Sequence, residues 1–123
     1  MSYNQTGYRN ADSVLVVQGQ TAVTQLTSIT TGVTCNAYSG VITTVSQTVA
    51  AGAEAEFTVT NDKVAATDII VPVIKTHTSQ GSFHVGINQV SAGSFKLQLT
   101  NMHATLAGNN VLVISFIVLK AVA

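Results

Sequence analysis

Charge is what this chain has least of. Lys and Arg number five, Asp and Glu five, and together they make up 8% of the 123 residues, with a formal net charge of zero. About 25% is typical of a soluble domain. The cations Arg9, Lys63, Lys75, Lys96 and Lys120 are scattered along the chain, so they form no basic stripe of the kind that neutralises a phosphate backbone. Nucleic acid is not expected as a partner. Tryptophan is missing and aromatic residues are only 6% of the chain, which leaves little to stack on a sugar ring. Cys35 is the single cysteine, so no intrachain disulfide staples the fold and stability has to come from packing or assembly. No Lys, Arg or His flanks it, and a buried, inert thiol is expected rather than a nucleophile.

Long apolar runs are also lacking. The longest, residues 111–119, contains Ser115 and stops at Lys120, well short of the roughly 20 residues that span a bilayer as a helix. We expect a buried strand there and no membrane partner. Residues 1–10 have no apolar stretch of the kind a signal peptide needs, so synthesis in the cytoplasm without export by that route is the expectation.

What the chain does have is apolar substance, 46% hydrophobic residues, ample for the core of one domain of this length. Its surface must then be covered by Thr, Ser, Asn and Gln. Such a surface stays soluble but repels neighbouring proteins weakly, and so tolerates close packing against copies of itself or another protein.

Thr, Val and Ile dominate, and their branched Cβ suits the pleated surface of a sheet. Apolar residues recur with period two between Gly and Asn turn signals, the pattern of antiparallel strands with one buried face. In residues 53–60, Ala53, Ala55, Phe57 and Val59 point one way and Glu54, Glu56, Thr58 and Thr60 the other. In residues 94–100, Phe95, Leu97 and Leu99 face inward between Ser94, Lys96, Gln98 and Thr100. Further strands are expected at 13–18, 22–29, 32–36, 41–45, 68–76, 83–90 and 111–120. Eight or nine short strands at this spacing suggest an all-β, antiparallel β-sandwich of jelly-roll type over residues 13–123.

Pro72 cannot donate to a ladder, so its strand is expected at a sheet edge or with a bulge there. Val49-Ala50-Ala51-Gly52 and Val90-Ser91-Ala92-Gly93 open two strands that each end in Thr-Asn, at Asn61 and Asn101. This reads as one turn device used twice, with Gly supplying positive φ and Asn tolerating it. Residues 111–120 are apolar on both faces, so the side away from the core needs a cover, either a neighbouring subunit or an N-terminal segment of the same chain. Residues 1–12 are polar and aperiodic and read as an extended N-terminal arm. Tyr3, Tyr8 and Arg9 within it are residue types enriched at interface hot spots, which makes them the candidate partner contacts.

Chemistry is sparse. His77, His84 and His103 lack the spacing that sets two metal ligands on one face, and no metal or other cofactor is expected. No Gly-x-Ser-x-Gly elbow, P-loop or dinucleotide fingerprint occurs. Glu54 and Glu56 share one strand face at about the separation of paired glycosidase carboxylates, but without an aromatic-lined cleft they read as a solvated face. The expectation is a protein that is not an enzyme.

Thr31-Gly32-Val33-Thr34 followed by Ser39-Gly40-Val41-Ile42-Thr43-Thr44 resembles a segment of small structural proteins of tailed-bacteriophage virions. Blocks at 50–61, 64–68, 92–95 and 116–120 resemble the same family's later segments, so the likeness spans residues 27–120. It is carried by turns and strand cores. Cys35 stands where a longer polar residue fits the pattern better. The resemblance implies a virion component on the capsid surface, synthesised in the host cytoplasm: a capsid decoration or cement protein that binds the major capsid protein and stabilises the mature shell. A homotrimer would match the local threefold axes of an icosahedral lattice. We expect strand 111–120 near its centre, with Leu112, Ile114, Phe116 and Val118 at the oligomer interface. The alternative is a head-fibre or tail knob that binds host-surface glycan, for which Tyr38, Phe83 and Phe95 are the candidate stacking residues. The resemblance carries over no catalytic residue.

Overall fold

Alternating side chains and Gly or Asn reversals divide the chain into ten strands in the computed structural model, which describes residues 16–77 and 81–122. They are β1 Thr21–Thr24, β2 Val33–Thr34, β3 Ser39–Thr43, β4 Gln47–Val49, β5 Glu54–Thr60, β6 Ile69–His77, β7 Phe83–Ser91, β8 Ser94–Asn101, β9 Gly108–Asn110 and β10 Leu112–Leu119. No helix occurs among the described residues. The strands make a sheet of order β1-β3-β10-β6, a second of order β2-β5-β8-β7, and a two-stranded ladder of β4 with β9. Both four-stranded sheets are open, with β1 and β6 at the edges of the first and β2 and β7 at the edges of the second.

One hydrophobic cluster draws on both sheets. Ile42, Ile114, Phe116 and Val118 of the first and Phe57, Val59, Phe95 and Leu97 of the second are at most 2% exposed. The Phe95 and Phe116 rings meet edge to face across the cluster, centroids 5.0 Å apart. Such a pair is worth about 1 kcal/mol beyond the area it buries.

The expected alternation holds in β5 and β8, where Ala55, Phe57, Val59, Phe95, Leu97 and Leu99 are buried. Pro72 lies on an edge strand, as expected, while the irregularity of that ladder falls between the Thr76 and Ile74 pairings, at Lys75. Three expectations need correcting. Not every pairing is antiparallel: β1 runs parallel to β3, and β2 parallel to β5. The expected strand 22–29 stops at Thr24 because the next side chain turns inward. Gln25 is 1% exposed, its Nε2 donates to Ile29 O at 3.0 Å and Thr31 O at 2.8 Å, and its Oε1 accepts from Val45 N–H. This closes a loop in which Thr27 takes φ of 72°. Third, residues 16–18 are not strand, and the rest of the expected strand 13–18 lies outside the described residues, as does the arm 1–12.

At one end of the first sheet, next to the Ile69 and Leu119 pair, a charged clasp joins the start of β6 to the end of β10. Asp68 is buried, with its side chain 1% exposed. Its Oδ2 accepts from Lys120 Nζ and from Ala65 N–H, and its Oδ1 from Ala121 N–H. Lys120 also donates to Lys63 O at 2.9 Å. Burial pushes the Asp68 carboxyl up, but the Lys120 ammonium and the two backbone donors outweigh it and hold the group below its ordinary 3.8. A carboxyl lowered in the folded state stabilises the fold at pH above its unfolded value, and that contribution disappears as pH falls through the folded value. Urea midpoints are therefore expected to fall below about pH 4 in the native chain. In Asp68→Asn this part of the pH dependence should be lost. Lys120→Ala, which strands a buried carboxylate, should cost about 2 kcal/mol at pH 7, below the range for a fully buried pair because Lys120 is partly exposed.

Candidate interaction surface

The outer faces of the two large sheets differ in chemistry. Outward residues of β5 and β8 are Glu54, Glu56, Thr58 and Thr60 against Thr100, Gln98, Lys96 and Ser94. Gln98 donates to Glu54, Asn88 Nδ2 donates to Glu56 Oε2 at 2.5 Å, and Lys96 Nζ lies 3.4 Å from Glu56 Oε1. The Asn88 amide first, and the Lys96 ammonium with it, hold the Glu56 carboxyl below its ordinary range against a smaller opposing effect of desolvation. A general acid needs the opposite shift. These two carboxylates belong to a hydrogen-bonded, open sheet surface.

The first sheet is different. In β10 the even-numbered residues turn into the core, and Leu112, Ile114, Phe116 and Val118 are each at most 1% exposed. They were expected at a subunit interface and instead belong to the chain's own core. This face is the bulkier and is unbroken, whereas the other carries Ser115, and burying each large apolar side chain is worth roughly 1.5–3 kcal/mol. The outward face of β10 is therefore Val113, Ser115, Ile117 and Leu119, all half-buried. The ladder with β6 sets Val73, Val71 and Ile69 opposite Ser115, Ile117 and Leu119. Ile69, Val71 and Val73 are 56%, 39% and 48% exposed.

A shallow depression of about 300 Å³ lies on this face, between β6, the outward residues of β10 and the entering chain at Gln20. Among the described residues that line it, Lys75 is the one that carries charge. Gln20 Nε2 donates to Ser39 Oγ at 3.3 Å, while Ser115 Oγ is buried with no hydrogen-bond partner among the described residues. A second groove runs between β1 and β2, bordered by Thr24, Thr31, Thr34 and the 69% exposed Leu26.

The remaining candidates are dispersed. Tyr3, Tyr8 and Arg9 lie outside the described residues. Phe95, a candidate for stacking sugar, is in the core at 1% exposure. Phe83 packs edge to face on His77 with centroids 5.3 Å apart, and Lys63 Nζ sits 5.9 Å from the Tyr38 ring centroid. His103 Nδ1 accepts from the backbone N–H of Thr105 and Leu106. No three of His, Cys, Asp and Glu converge as metal ligands among the described residues. Cys35 is 1% exposed, and burial pushes its thiol up.

Sequence reasoning anticipated a second apolar face on β10 but assigned the wrong side to it. It also missed the contribution of β6, whose outward valines were read only as part of a strand. The fold and its surfaces define an all-β protein of several open sheets, one with a polar exterior and another with an apolar band along β6 and β10. No family model, curated protein or solved structure matches the chain.

Proposed function

We propose that this chain is a structural protein of a tailed-phage virion: a capsid decoration or cement protein that binds the major capsid protein on the outer shell as a homotrimer. The observation that carries the reading is the contrast between the two sheet exteriors. Monomeric soluble proteins rarely leave a contiguous apolar sheet face uncovered, and a polar opposite face gives such a molecule one side for partners and one for solvent. Two four-stranded sheets over a common core fit a β-sandwich of jelly-roll type, a fold that places rigid faces rather than clefts at the disposal of partners. The low charge fits dense packing on a lattice, because neighbouring copies repel one another weakly.

Stabilisation then follows from linkage. A protein that binds only the mature arrangement of coat subunits stabilises that arrangement at every occupied site, by about 2.7 kcal/mol when free protein is 100-fold above Kd. Quantitative mass spectrometry of purified particles tests the reading. The chain should be present in copies comparable to the coat protein.

A further inference from the structure

We draw no further inference here: the strongest candidate, the apolar band of Ile69, Val71, Val73, Ile117 and Leu119 along β6 and β10 on the outer face of the first sheet, carries none because nothing in the structure shows what covers it.

Discussion

Asn101→Ala is expected to lower the unfolding free energy by about 4 kcal/mol, a large part of the roughly 5–15 kcal/mol typical of a domain. Asn101 ends β8 and is fully buried. Its Oδ1 accepts from Ser82 N–H and His103 N–H, both at 3.1 Å, while its Nδ2 donates to Val49 O at 3.1 Å and Leu106 O at 2.9 Å. One side chain thus satisfies backbone groups from three separate segments, and alanine would leave them without partners in the interior. Asn101→Asp isolates the donor. It keeps the acceptor but turns a carboxylate oxygen toward two carbonyls, so it should be no more stable than alanine at pH 7. It should recover partly in acid, where protonation restores one donor. Urea denaturation of the three proteins checks this, and an alanine variant within about 1 kcal/mol of wild type would contradict it.

Gly40→Ala should be nearly as damaging, at about 3 kcal/mol or more. An added Cβ would lie 2.4 and 2.6 Å from Phe116 ring carbons and 2.7 Å from Cys35 Sγ. Gly40 is buried in β3, a strand with neighbours on both sides, and sits directly opposite Phe116 in the ladder. The ring has little room to give, because it is buried in the common core and packs edge to face on Phe95. Combining Gly40→Ala with Phe116→Leu should be less destabilising than the two single changes added together, by at least about 1 kcal/mol. Full additivity in thermal melts would show that the glycine is not there to accommodate the ring.

The long strands were legible in the sequence because they alternate. Glu54–Thr60 and Ser94–Asn101 each set three apolar residues on one face, and the pleat follows from that period. β4 and β9 were missed for the converse reason. Three residues give no period to read, and Gly108-Asn109-Asn110 carries the composition of a turn.

The repeated Val-x-Ala-Gly and Thr-Asn device was legible as turns, and Gly52 and Gly93 do take φ of 75° and 82°. Its asparagines behave otherwise. Neither has positive φ among the described residues, and both are buried clasps. Because β5 and β8 run antiparallel, each copy's Asn meets the other copy's turn: Asn61 N–H donates to Gly93 O at 2.9 Å, and Gly52 N–H to Asn101 O at 2.8 Å. Asn61 repeats the side-chain pattern, donating to Ala37 O at 2.7 Å and accepting from Ala37 N–H and Lys63 N–H. Local sequence showed the turn, but only the pairing of distant strands brings each clasp to its backbone partners.

The two faces of β10 posed the same problem for the candidate surface. Periodicity separated Leu112, Ile114, Phe116 and Val118 from Val113, Ser115, Ile117 and Leu119, yet both sets are apolar enough to be core. Which set points inward depends on where the opposite sheet lies, and that is set by residues far along the chain. The outward valines of β6 join the exposed set only once β6 is known to pair with β10.

The most direct test of the central claim is the copy number of this chain relative to the major capsid protein in purified particles. A ratio approaching one is the predicted result and would fit occupation of the whole capsid lattice. A handful of copies per particle would contradict the cement reading and move the chain to a vertex or tail knob, and its absence from particles would contradict the virion reading altogether.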